Sequence, residues 1–355
     1  MTRGLRAALS RNLGLLLAVG LFAALYGLYS AQHPRGGSAA LLVQNSNESF
    51  ALILAAMAQT VPVLTGGLDL SVGPLMTLVN CLASRVLSGG PVELAFGILA
   101  CLAAGTLGGL VNGCLVVYGR MQPIIATLAT GAVYIGIALF LRPTPGGAVN
   151  ADLSAMLTYD LAETAAVLGV FDGGQAAWFQ PFAPIPVPLL LVLAVLLFVW
   201  VPFRGTEMGR GCYAVGSSEG SAYLSGIDVD RSRLAAYTLA GLFAAMAGLY
   251  LALQTGTGNA DAPQAGAYTL NSIAAVVIGG TSLFGGSGGV VGSLFGALVL
   301  RSISFNFRVF DEASWLGALA DPLLQPLFEG MVLLIAVSLG AARALRIRNR
   351  LQLFG

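Results

Sequence analysis

Lysine is missing from this chain of 355 residues: all 17 basic residues are arginine. A Walker A loop sets its lysine on the phosphates, so no standard P-loop is encoded, and lysine Schiff-base chemistry is excluded as well. Histidine occurs once, at His33, in the segment after the first apolar run. That leaves no histidine-based metal cluster and no histidine-linked triad. Charge is scarce, with 9% of residues charged against about 25% in an average soluble domain. The net charge of +1 comes with no basic tract, so nucleic acid is not an expected partner. Of the four cysteines, Cys81, Cys101 and Cys114 fall in apolar stretches and Cys212 in a polar one. No C-x-x-C spacing occurs, so they read as small hydrophobes and not as zinc ligands or a disulfide framework.

What the chain has is apolar length. Hydrophobic residues make up 57% of it, and runs of about 17 residues or more recur from end to end, which predicts an all-α polytopic integral membrane protein. Ten spans are expected, at 13–30, 50–68, 71–88, 94–117, 123–141, 185–203, 234–254, 270–284, 288–307 and 322–340. The first follows Arg3, Arg6 and Arg11 and lacks a small-x-small cleavage site near Tyr29-Ser30-Ala31, so it reads as an uncleaved span. With the N-terminus inside, twelve arginines (3, 6, 11, 120, 204, 210, 231, 233, 343, 346, 348, 350) fall on the inner side and four (35, 85, 142, 308) on the outer. This positive-inside bias sets both termini in the cytoplasm.

Between two spans lies a polar island, residues 204–233, with Arg204, Arg210, Arg231 and Arg233 beside four carboxylates. A short helix is predicted in its middle: Ser218 can cap it, Glu219 suits the positive end of its dipole and Gly226 can end it. Tyr223 and Ile227, four apart, give it a small apolar stripe. Such a helix suits docking of a soluble partner, and an ordinary solvated loop attracted to anionic lipid is the alternative. On the outer side, segment 142–184 carries Asp152, Asp160, Glu163 and Asp172, with a surface helix expected over 151–168.

Glycine draws a second pattern. Gly105, Gly109 and Gly113 make two overlapping GxxxG steps, and Gly288, Gly292 and Gly296 repeat them. Such ridges let helices approach backbone to backbone, and the repetition predicts two equivalent, inversely inserted blocks, 50–141 and 234–340, within a single membrane unit over 1–355, the inverted-repeat arrangement of many transporters. The run Gly279 to Gly289 reads as a tight re-entrant turn, since GxGxxG is not matched in register.

Candidate contact residues for a cargo are polar groups inside or between spans. In Thr65-Gly-Gly-Leu-Asp-Leu-Ser-Val-Gly73, Asp69 precedes a helix start, so it reads both as a cap and as a cargo contact, with Ser71 beside it. Asn80, Asn112, Thr127, Thr130, Asn271 and Ser272 are neutral polar residues in apolar runs. They suit hydroxyl-rich, uncharged cargo, or equally interhelical hydrogen bonds. Arg301 and Glu329 each come out about 10 Å below the outer surface at 1.5 Å per residue, and are expected to pair.

At these residues the chain resembles the permease subunits of bacterial ABC importers for ribose, xylose, galactofuranose and related sugars. The matching segments are Thr65–Gly73, Gly119-Arg-Met-Gln-Pro-Ile-Ile-Ala-Thr127, Gly209–Asp228 and Ala274-Ala-Val-Val-Ile-Gly-Gly-Thr-Ser282, spread over residues 50–340. The resemblance implies a monosaccharide permease of the bacterial inner membrane that binds no cofactor and has no catalytic residue or metal site. Its implied partners are cytoplasmic ABC ATPase subunits that bind the ATP, a second permease, like or unlike, and a periplasmic sugar-binding protein. The island helix becomes the coupling helix, with Glu219, Ala222, Leu224, Gly226 and Ile227 on ATPase-contacting positions and Tyr223 among them. The path falls to Asp69, Ser71, Asn80, Asn112, Thr127, Asn271 and Ser272. Asn271 stands where the family commonly has aspartate, and Glu329 where lysine is frequent. Nucleosides or branched-chain amino acids are the alternative cargo, and an ion-coupled secondary transporter the alternative engine.

Overall fold

The computed structural model describes residues 13–170 and 176–309, with isolated positions 327, 330, 331, 334 and 338 beyond them. Every regular element among these is a helix, thirteen in all: α1 Leu13–Gln32, α2 Ala39–Leu64, α3 Val72–Val86, α4 Pro91–Val117, α5 Pro123–Leu141, α6 Ala151–Thr158 and α7 Leu161–Leu168, then α8 Val187–Gly205 with a wide π turn at Leu196–Trp200, α9 Glu207–Ser217, α10 Glu219–Leu224, α11 Val229–Thr255, α12 Ala262–Ile278 and α13 Val290–Phe307. Seven of them (α1, α2, α4, α5, α8, α11 and α13) are long and apolar enough to cross a membrane, and the chain is a multi-pass membrane protein. Nine expected spans fall on helices; the tenth, 322–340, lies outside the described residues but for the isolated positions.

Several boundaries move. α2 starts at Ala39 and not at 50, because Ser38 caps it by accepting from Leu41 N at 3.3 Å. The polar run 44–48, which looks like loop, is helical because tertiary partners satisfy it: Tyr250 donates to Asn47 Oδ1 at 2.7 Å, and Asn45 bonds Tyr26. α11 starts at Val229, not 234, capped by Asp228, which accepts from Arg231 N at 2.9 Å. Arg231 and Arg233 therefore ride on the first turns of a membrane helix. α12 covers 262–278 in place of 270–284, capped by Asp261 and ended at Gly279. Among its described residues, segment 142–184 holds two short helices where one was expected over 151–168, since Asp160 caps a fresh start by accepting from Glu163 N at 3.0 Å.

Burial ranks the helices. In α2, 89% of the apolar window is buried, against 11% in α1, so α2 is interior and α1 peripheral. α11 crosses the centre and packs on α2, α3 and α4, bringing Tyr237, Phe243 and Tyr250 into full burial. Glycine makes this possible: a Cβ on Gly109 would strike the Tyr237 carbonyl and Gly241, and one on Gly105 would strike Ala245. The second ridge serves a different pair, Gly292 and Gly296 of α13 lying on Gly279 and Ala275. Gly288 is not part of that helix; it sits in the preceding turn, against Thr281. One ridge thus joins the two expected blocks, and the other closes within its own.

Two re-entrant turns, 65–71 and 279–289, lie on the same face as the island. Gly286 N donates to Leu64 O at 3.0 Å, and Gly216 of α9 wedges between both turns, with no room for a side chain. Helix α9 is itself absent from the sequence expectation, because three glycines in eleven residues depress helix propensity; packing overrides that cost.

Candidate functional site

The turn after α2 opens a buried polar network. Asp69, at 2% exposure, accepts through Oδ1 from Ser71 N at 2.8 Å and Ser71 Oγ at 2.6 Å. Asn112 of α4 donates to Ser71 Oγ at 2.7 Å, and its Oδ1 accepts from Thr130 Oγ1 of α5 at 2.6 Å and Tyr134 at 3.4 Å. Thr127 Oγ1 accepts from Leu70 N at 2.9 Å. The Gln59 amide, with its nitrogen toward the Asp69 carbonyl, donates there at 2.7 Å and accepts from Asp69 N at 3.2 Å. Three helices, α2, α4 and α5, thus converge on one turn, and among the described residues no cation faces Asp69. In a setting where an unpaired buried polar group costs about 1–3 kcal/mol, such completeness holds the broken backbone in one conformation.

Of the residues assigned to a path from the sequence, Asp69, Ser71, Asn112 and Thr127 come together here. Asn80 does not. Nine residues along α3 from Ser71, or about 13 Å at 1.5 Å per residue, it accepts from Asn259 N at 2.9 Å and donates to Thr257 O at 3.4 Å, fastening the opposite-face loop. Ser272 turns back on its own helix, donating to Thr269 O at 2.7 Å, while Thr269 accepts from Gly73 N at 3.0 Å and touches the network's edge. Asn271 is half-buried and makes no hydrogen bond among the described residues. Thr130, named among the polar residues that suit a cargo, belongs to the network as well; Gln59 and Tyr134 belong to it but were not singled out, the only signal available being a polar side chain within an apolar run.

On the island face stands α10. Ser218 caps it, accepting from Ser221 N at 3.3 Å, and a Schellman turn ends it: Gly226 is left-handed at φ 79°, Gly226 N donates to Tyr223 O at 3.0 Å, and Ile227 N donates to Ala222 O at 3.1 Å. That turn corrects the expected Tyr223–Ile227 stripe. Because Gly226 reverses the chain, Ile227 folds inward with Ala222, Val215 and Val229. The exposed apolar pair is instead Tyr223 and Leu224, at 74% and 87%. Glu219 meets Arg233 of α11 at 2.6 Å. Beneath, Cys212 is fully buried and burial pushes its thiol up to about 12, while Tyr213 donates to Gly288 O at 3.2 Å, tying α9 to the 279–289 turn.

A protein-family profile described as "Branched-chain amino acid transport system / permease component" matches residues 41–337. The ribose import permease protein RbsC of Bacillus subtilis (strain 168) is 36% identical over 287 residues, covering 81% of this chain and 80% of its own length. RbsC of Escherichia coli (strain K12) is 34% identical over 283 residues, 79% of each. The fructose import permease protein FrcC of Rhizobium meliloti is 33% identical over 283 residues, 79% of this chain and 72% of its own. No solved structure matches the chain. A profile spanning most of the sequence, and relatives aligned over more than seven-tenths of both partners, agree with the helical membrane architecture: the chain belongs to this family of transport-system permease components.

Proposed function

We propose that the chain is the membrane-spanning permease subunit of an ATP-driven ABC importer that carries a monosaccharide inward. It works in the bacterial inner membrane, with both termini cytoplasmic, as one of two permeases that are identical or related. A periplasmic binding protein delivers the sugar, and cytoplasmic ATPase subunits dock on α10 and supply the energy; the permease itself contributes no catalytic residue.

The observation that carries this reading is the hydroxyl and amide network gathered around the Asp69 carboxylate at the 65–71 turn. Ser71, Asn112, Thr127 and Thr130 exchange hydrogen bonds there without a fixed cation, and the same hydroxyls and amide suit sugar hydroxyls once the turn opens. The family description names branched-chain amino acids, whose α-carboxylate would meet the Asp69 carboxylate with no cation among the described residues to offset it. The three relatives, import permeases named for ribose and fructose, favour sugar.

The test is reconstitution with the ATPase and binding protein, followed by uptake of labelled D-ribose, D-fructose and D-allose. ATP-dependent uptake that survives collapse of the proton gradient is expected. Uptake that stops with the gradient while ATP is held constant would replace this reading with ion coupling.

A further inference from the structure

A cavity of about 760 Å³ opens on the island face between the 65–67 turn, the 118–122 turn and the first turns of α10 and α11. This lies within the roughly 300–1,000 Å³ usual for small-molecule sites. One face of α11 supplies Asp230, Arg233 and Tyr237, at helical spacing i, i+3 and i+7. Arg120 and Glu219 complete its charged lining, and Gly67 lies at its base. Two guanidiniums face two carboxylates, so the formal charge sums to zero.

Three of these groups have unused hydrogen-bonding capacity. The Tyr237 hydroxyl is buried and has no partner; a Cβ on Gly67 would collide with it, so the glycine leaves it room. Arg120 and Asp230 are exposed and make no hydrogen bond or ion pair among the described residues. Arg120 also holds a left-handed backbone, φ 50°, the one such non-glycine residue described. Backbone of this kind persists where surrounding structure imposes it, and here it keeps the guanidinium at the cavity wall. The 65–71 turn is shared: Gly67 borders this cavity, and Asp69, two residues on, anchors the buried network.

We propose that this cavity is a release-side sugar subsite. It rests on the import reading above. Cargo passing the 65–71 turn is held by the Tyr237 hydroxyl, the Asp230 carboxylate and the Arg120 guanidinium before it enters the cytoplasm. Movement of the turn uncovers the Tyr237 hydroxyl, which the sugar then satisfies. The balanced charge selects a neutral polyol over a phosphosugar. The Glu219–Arg233 pair at the rim places the subsite beside the helix on which the ATPase docks.

The experiment uses proteoliposomes of permease, ATPase and binding protein, with ATP enclosed. The probe is whichever of D-ribose, D-fructose and D-allose gives ATP-driven uptake. Initial uptake is measured against increasing unlabelled sugar preloaded in the lumen. Lumenal sugar should inhibit the wild type, and Tyr237→Phe should raise its half-inhibitory concentration about tenfold, the effect of losing one hydrogen bond. Asp230→Asn, whose side chain is exposed and bears on no packing, should shift it in the same direction. Uptake indifferent to lumenal sugar, or inhibited equally in wild type and both variants, overturns the subsite alone. Absence of ATP-driven uptake of all three sugars overturns the import reading and the subsite with it.

Discussion

Arg233 grips Glu219 with both guanidinium nitrogens, Nη1 to Oε1 at 3.0 Å and Nη2 to Oε2 at 2.6 Å. The contact joins the first turn of the exposed α10 to the first turns of α11, the helix at the centre of the molecule. A push on α10 is therefore felt by a helix that packs against α2, α3 and α4. Glu219 is more than half exposed, so the pair contributes no more than about 1 kcal/mol to stability. With the ATPase docked on α10 as proposed, its role is transmission. Glu219→Gln or Arg233→Gln should leave the unfolding midpoint within a few degrees of wild type while lowering sugar transported per ATP hydrolysed. Glu219→Arg combined with Arg233→Glu should recover part of that ratio, and a swap no better than the single changes removes the argument.

Tyr223 and Leu224 offer apolar surface that nothing within the described residues covers. Burying one such side chain against a partner is worth about 1.5–3 kcal/mol, so Tyr223→Ser or Leu224→Ser should weaken ATPase association by roughly tenfold to a hundredfold. Thermal stability of the isolated permease should not change. Titration of the purified ATPase against each variant in detergent decides the matter.

Asn112 is the hinge of the buried network, bonded to α5 through Thr130 and to the re-entrant turn through Ser71. Asn112→Leu takes the donor from Ser71 Oγ, which keeps only its bond to Asp69, and leaves Thr130 Oγ1 with Thr127 O alone at 3.2 Å, a loss of about 1–3 kcal/mol. A lower unfolding midpoint together with reduced uptake is expected. Asn80→Ala acts on the opposite-face loop and should reduce uptake less, a difference that side-by-side transport assays resolve.

Backbone contact between α4 and α11 depends on Gly109. Gly109→Ala drives a methyl into the Tyr237 carbonyl and Gly241, and overpacking of this kind costs about 1–3 kcal/mol. Gly136 of α5 has open space around it, so Gly136→Ala should match wild type in size-exclusion profile and thermal midpoint. Equal behaviour of the two variants would show that the α4–α11 ridge is not tightly packed.

Cys212 tests the packing of α9. With the thiol raised to about 12 by burial, only a minute fraction is thiolate at neutral pH, and that fraction grows tenfold per pH unit without approaching completion by pH 9. Maleimide should therefore label Cys212 slowly in the native protein at pH 7.5 and at pH 9, and readily after denaturation. Rapid native labelling would mean that α9 lifts off α11 on the timescale of the assay.

Much of the molecule is legible in one dimension. Apolar run length alone places nine of the helices, because a residue in hydrocarbon must have its backbone satisfied within its own helix. The start of α2 was misplaced because its polar run 44–48 is paid for by Tyr26 and Tyr250, partners far off in sequence. The α10 cap and stop were readable from Ser218 and Gly226. The direction of Ile227 was not, since it follows from the Schellman turn that Gly226 makes. Likewise Asn80 and Asn112 look alike as lone amides in apolar runs; one holds the loop at Thr257–Asn259 and the other a buried network.

Composition and spacing by themselves determined that this is a lysine-free, multi-pass helical protein with a capped helix on a polar island, since solvent and lipid impose those requirements on each segment separately. Only the tertiary structure decided which polar side chains share a turn, which glycines serve as contacts and which apolar residues on the island stay exposed. Those outcomes depend on atoms brought within about 3 Å from distant parts of the chain, and side-chain hydrogen bonds are too short in range for spacing along one helix to reveal their partners.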